Sequence, residues 1–126
     1  MAGSYTVTPW EAAHAPSEAE LAARIQREGK TPVLRSDPPG LRQPRQRHPY
    51  PKSWWLVYGW LRFLLHNKRD QEVVVRTGDR LELAPNVSYE VAVEGSGYAT
   101  YFEVTPFALT PLPLTVHVGP WPEPGK

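Results

Sequence analysis

The chain contains no cysteine. That excludes disulfides, thiolate metal sites and a cysteine nucleophile, and with them a disulfide-dependent secreted fold. Net charge is only +1, so no global field draws the chain toward nucleic acid. No stretch approaches ~18 uninterrupted apolar residues, the length expected of a membrane-crossing helix. The richest apolar run, residues 54–65, is interrupted by Gly59 and Arg62. The opening "MAGSYTVTPWEAAHAP" has no basic stretch followed by an apolar run, so no signal peptide is expected. A soluble cytoplasmic protein is the default expectation. Methionine occurs once, and Asn67 and Asn86 are the only asparagines. Together with abundant proline, this resembles the composition of heat-adapted proteins.

What the chain does have is proline and large aromatics: 15 Pro, 5 Trp and 6 Tyr in 126 residues. That length suits one domain with one core, burying roughly two thirds of its unfolded surface without a staple. One helix is expected, over residues 17–28. Ser17 is a good N-cap and Glu20 completes a capping box. Leu21 and Ile25 form an i, i+4 apolar pair, Gly29 suits the C-cap, and Pro32 blocks continuation. So narrow an apolar stripe places this helix on a surface and not in a core. Residues 31–52 carry Pro32, Pro38, Pro39, Pro44, Pro49 and Pro51. That spacing excludes helix and central strand, leaving extended chain along a sheet edge.

From Trp54 onward the pattern is β. "WWLVY" and "WLRFLL" flank Gly59, where a tight bend is allowed. The strands "EVVVR", "RLEL", "SYEVAVE" and "YATYFEV" follow, separated by polar, Gly or Pro turns. "LTVHV" is one further strand in the tail. In "SYEVAVE", Tyr89, Val91 and Val93 share the face expected to point inward. Trp54 and Trp55 must face opposite ways, so one of them needs a cover: the helix, the Pro-rich tail or a second subunit. Trp60 is expected in the core or at a subunit interface. Many short strands at regular spacing argue for a sandwich or small barrel.

The stretch "RQRHPYPKSWWLVYG" followed by "GDRLELAPNVSYEV" resembles the small single-domain cupins, over roughly residues 39–104. The resemblance implies an all-β, double-stranded β-helix (a jelly-roll barrel) with one short N-terminal α-helix. An N-terminal arm would take 1–38, the barrel core 39–105, and a Pro-rich tail packing on the barrel 106–126. It also implies a site. The family's paired histidines fall on Gln46 and His48, its acidic ligand on or next to Lys52, and its third histidine on Tyr89. Only His48 is retained as a metal ligand, so no metal or other cofactor is expected to be required, with a divalent ion at His48 as the exception to be tested.

Alternation independently puts Gln46, His48 and Tyr50 on one side of an extended segment, with Arg45 and Arg47 on the other. Gln46, His48, Tyr50 and Tyr89 are therefore the expected ligand-lining residues. Each also has an ordinary structural reading: a half-buried imidazole, a core tyrosine with one partner, an exposed loop amide. Arg42, Arg45 and Arg47 read as a solvated basic segment or as a fork for an anionic ligand. Nucleic-acid binding would need aromatic platforms beside a basic groove, and no known motif supports it.

The reading adopted is a small-molecule-binding cupin, homodimeric, without demonstrable catalysis. Two alternatives stay open. One is an enzyme, with a metal on His48 plus unconventional ligands, or metal-free with His48 as base and Tyr89 as acid. The other is a structural or interaction protein whose barrel is packed shut. Cavity volume separates the last from the first two.

Overall fold

A computed structural model describes residues 4–106. The tail strand expected at "LTVHV", and His117 within it, lie outside the described residues. Nine strands and one helix follow in chain order among the described residues. They are β1 (Tyr5–Thr8), α1 (Glu18–Arg27), β2 (Pro32–Asp37), β3 (Arg42–Gln46) and β4 (Lys52–Tyr58), then β5 (Trp60–His66), β6 (Asp70–Arg76), β7 (Arg80–Leu83), β8 (Ser88–Glu94) and β9 (Ala99–Val104). Two antiparallel sheets face each other, ordered β1-β7-β4-β9-β2 and β3-β8-β5-β6. Strands β1 and β2, both N-terminal to residue 39, are hydrogen-bonded members of the five-stranded sheet.

The proline-rich segment behaves as its chemistry requires. Strands β2 and β3 are both edge strands, each on a different sheet. A residue without a backbone N–H is tolerated there, because the outer side of an edge strand has no ladder to complete. Pro44 coincides with a register irregularity between Gln43 and Gln46, where β3 pairs with β8. The bend at Gly59 is equally constrained. Its φ is +99°, and an added Cβ would come within 2.7 Å of the Tyr98 carbonyl oxygen, so only glycine fits.

The barrel interior is packed by alternate residues of both sheets. Trp54, Leu56, Leu61, Phe63, Leu65, Val75, Leu81, Tyr89 and Tyr101 are all buried within one cluster. Trp54 meets Phe63 edge-on at 4.9 Å and Tyr89 at 5.2 Å between ring centroids.

A second cluster lies on the outer face of the five-stranded sheet. Leu21 and Ile25 of α1 pack there with Trp55, Phe102 and Val104. The helix does lie on a surface, as its narrow stripe implies, yet both stripe residues are fully buried and complete a core of their own. Trp55 thus finds its cover in α1 of the same chain.

The helix ends as expected in kind. Ser17 Oγ accepts from the Glu20 N–H at 3.1 Å. The reciprocal half of the capping box is replaced, because the Glu20 carboxylate turns to His14 and Arg24. Glu28 is the C-cap, and Gly29 follows at φ +80°. Lys30 N–H reaches the Ile25 carbonyl and Gly29 N–H that of Gln26, the paired bonds of a Schellman motif.

The same turn anchors the helix to the sheet. Arg80 of β7 is buried and donates two bonds to Glu28, at 2.6 and 2.8 Å. Its guanidinium lies 4.7 Å from the Trp55 ring, and Trp55 Nε1 donates to the Gly78 carbonyl at 3.0 Å. Of its two expected places, the core or a subunit interface, Trp60 does not take the core. It lies on the outer face of the four-stranded sheet and is half-exposed, because the chain crosses from one sheet to the other at Gly59 and the crossing shifts which parity points inward.

Ile25→Ala should destabilise the protein by about 2–4 kcal/mol, the usual cost of emptying a closed apolar site. Equilibrium urea unfolding measures this directly. A cost below about 1 kcal/mol, well under the usual range for such truncations, would mean that α1 is not docked on Trp55 in solution.

Candidate functional site

The ends of β3, β4, β8 and β9 meet at one mouth of the barrel. The segment after β3 is held there by the β7–β8 turn: Asn86, at φ 67°, donates its N–H to the His48 carbonyl at 2.7 Å. Asparagine tolerates this left-handed conformation better than most residues.

All four residues singled out from the sequence converge at this mouth. The His48 ring stacks on Tyr50 at 5.2 Å, and its Nε2 lies 2.8 Å from the Tyr89 hydroxyl. Tyr89 is buried against Trp54 and Phe63. Its hydroxyl also lies 3.5 Å from Gln46 Oε1. Gln46 Nε2 donates to Gln43 Oε1 at 2.9 Å, and Gln43 Nε2 reaches the Tyr101 hydroxyl at 3.2 Å. Tyr101 in turn donates to the buried Asp37 carboxylate at 2.5 Å. A chain of side-chain bonds therefore runs from a half-buried imidazole to a buried carboxylate.

Beside it is an ionic group that the sequence reading did not assemble. Glu103 Oε2 lies 3.0 Å from Lys52 Nζ, and Glu103 Oε1 lies 3.3 Å from Arg35. Arg35 also approaches Asp37 at 3.7 Å. Alternation along β9 puts Tyr101 and Glu103 on one face. "YFEV" has apolar residues at both parities, so the sequence did not say which face is inward. Register supplies the answer: Glu103 is opposite Trp54, and Arg35 opposite Tyr101. Arg45 and Arg47 point away into solvent, as alternation implied, and Arg42 is exposed too.

No protein-family model and no curated protein sequence matches the chain. Solved structures do match in shape. The Drosophila melanogaster CENP-C cupin domain aligns over 57% of this chain and 57% of its own, at 12% identity and TM-score 0.54. The Lactobacillus farciminis oxalate decarboxylase formate complex aligns over 60% of this chain and 23% of its own, at 16% identity and TM-score 0.54. An uncharacterized Klebsiella pneumoniae protein with a double-stranded β-helix domain aligns over 60% and 65%, at 17% identity and TM-score 0.50. The fold is a cupin-type double-stranded β-helix. Each alignment spans less than two thirds of the solved chain, and identities this low carry the architecture alone.

In this cupin fold the donors at the mouth fit a transition metal poorly. Such an ion wants about three protein ligands, chiefly imidazole and carboxylate. Here His48 Nε2 faces a phenol, Gln46 offers a neutral amide already in use, and Lys52 presents an ammonium. Among the described residues no three His, Asp or Glu side chains converge in an arrangement that could hold a metal ion.

The electrostatics favour neutral groups. Burial holds the His48 imidazole below its ordinary value, and the Lys52 ammonium adds to this while Glu103 partly opposes it. Burial pushes the Tyr89 phenol well above its ordinary range, with the Glu103 carboxylate adding to the effect. A neutral imidazole and a neutral phenol form a bond in which either can donate.

The His48 shift has a pH consequence with a definite sign. Unfolded chains bind the His48 proton more readily than the fold does, so stability rises with pH through the window. Its contribution is intact above about pH 6.5, the ordinary imidazole value, and is lost as pH falls through the lower folded-state value. Unfolding free energies of wild type and His48→Gln, measured by urea between pH 8 and 5, should therefore converge toward the acid end, with wild type losing more. A parallel pair of curves would mean that His48 titrates as freely in the fold as in the unfolded chain.

Proposed function

We propose that this protein is a metal-independent, cupin-fold binding module whose barrel serves as a packed scaffold and not as a reaction chamber. One observation carries the reading: at the positions where the resemblance sets histidine ligands, Gln46, His48 and Tyr89 are bonded to one another and packed on the core. Tyr89 lies beneath His48, sealed by Trp54 and Phe63, and the bond chain continues through Gln46 and Gln43 to Tyr101. A metal-free acid–base pair of His48 and Tyr89 gains little support. The phenol is buried, and burial holds its proton tightly, whereas a useful general acid titrates near the working pH. Shape neighbours include the CENP-C cupin solved bound to CAL1, a cupin fold in a complex with another molecule.

The test is metal content. Protein purified without an affinity tag, as wild type and His48→Ala, would be incubated with iron, manganese, zinc, nickel and copper, desalted and read by elemental mass spectrometry. Both forms should retain far less than stoichiometric metal. Near-stoichiometric metal in wild type that is lost in His48→Ala would overturn the reading.

A second reading is small-molecule recognition at the mouth itself, in keeping with the sequence expectation. The observation favouring it is the half-buried His48–Tyr50 stack beside the Lys52–Glu103 pair, where an apolar ring surface adjoins fixed charges of both signs. Native mass spectrometry of freshly isolated protein should then show an added mass that Tyr50→Ala removes. Identical bare masses for the two forms, apart from the substitution, would dismiss it.

A further inference from the structure

The end of the barrel opposite His48 is built differently. Three connections that cross from one sheet to the other meet there: β4–β5 at Gly59, β6–β7 at Thr77, and β8–β9 at 95–98. Between them opens a groove of about 330 Å³, lined by Tyr58, Trp60, Thr77, Glu94 and Tyr98 with the glycine-rich 95–97 turn. That is within the size of small-molecule sites, which run from roughly 300 Å³ upward.

Its three aromatic side chains are unusually bare: Tyr58 is 64% exposed, Trp60 47% and Tyr98 57%. Large aromatics left in water together, with glycines keeping the space between them open, mark a recognition surface more often than a failure of packing. Gly59 is there of necessity, as described above. Gly97 is not. An added Cβ there meets nothing within 4 Å, and no left-handed φ demands glycine.

Charge then narrows the ligand. Among the described residues Glu94 is the one carboxylate lining the groove, and no lysine or arginine lines it. A phosphate or carboxylate would meet a carboxylate on the groove wall, with the nearby Arg62 and Arg76 already engaged at its edge, so anions are disfavoured. Aromatic faces carry negative potential and attract cations. Trp60 already does so: the Arg76 guanidinium sits 5.2 Å from its ring centroid. Arg62 Nε, 3.3 Å from Glu94, approaches that carboxylate from the outer sheet face without lining the groove.

We infer that this groove binds a small organic ammonium ion, with Trp60, Tyr58 and Tyr98 supplying ring faces and Glu94 the counter-charge. The inference rests on the reading of the protein as a binding module, and it assigns that module a site remote from the barrel mouth. It involves no bond making or breaking.

The test is calorimetric titration of the full chain with choline and, separately, with 3,3-dimethylbutan-1-ol, its uncharged carbon isostere. Choline should bind saturably and the isostere at least about tenfold more weakly, since the cation–π attraction belongs to the charge. Trp60→Ala should weaken choline about tenfold. Glu94→Gln, which removes the counter-charge at a partly exposed position, should weaken choline about tenfold while leaving binding of the isostere unchanged. Absence of choline binding, equal binding of the isostere, or full choline binding by a folded Glu94→Gln variant would each overturn the inference. A neutral methyl glucoside that binds where choline does not would overturn it in favour of a sugar site. None of these results bears on metal content, so failure here is distinguishable from failure of the metal-independent reading.

Discussion

Adjacent residues of a strand point to opposite faces, and on β4 both of those residues are tryptophan. The whole architecture depends on that pair. Trp54 goes inward and is buried among Phe63 and Tyr89. Trp55 goes outward and would be a large apolar liability in water. The helix exists to cover it. Leu21 and Ile25 supply the cover, and the Arg80–Glu28 pair fixes the end of the helix over the same ring. An ion pair of this kind contributes modestly by itself, but a buried arginine left without its carboxylate would be costly. The clip therefore couples docking of the helix to folding of the sheet.

The mouth shows how a buried tyrosine is accommodated. Tyr89 brings a hydroxyl to the edge of an apolar core, and a buried hydroxyl needs a partner. His48 provides it from a loop that Asn86 holds in place. The bond chain continues to Tyr101 and Asp37, so the polar atoms at this end are largely satisfied by one another. Such a network gives specificity to packing, and it leaves few groups to turn toward a ligand. The opposite end has the reverse character, with aromatic faces open and few polar partners arranged.

Much of the fold was legible from the residues. Prolines at 32 and 44 relegated their segments to sheet edges, and the structure has both strands there for the reason given: no donor is missed on an open edge. The capping serine and the closing glycine bounded the helix to within a residue. The four expected mouth residues do meet, because alternation within β8 and along the segment after β3 fixed which sides they face. Glu103, Lys52, Arg35 and Asp37 were not assembled, since they lie on three strands and meet only through register. A core place for Trp60 was not met because a positive-φ glycine resets parity, and sequence alternation cannot be carried across it.

By itself, the sequence determined what local chemistry determines: where backbone donors are missing, which side chains alternate, and where helices can start and stop. The tertiary structure alone decided which tryptophan was covered and by what. It also decided that Trp54, Phe63, Tyr89 and Tyr101 pack among leucines and valines between the sheets, and that three distant sheet-to-sheet connections leave Tyr58, Trp60 and Tyr98 around one groove. These are pairings between strands far apart in the chain. Their register is set by the fit of the whole core, a quantity that no short stretch of residues contains.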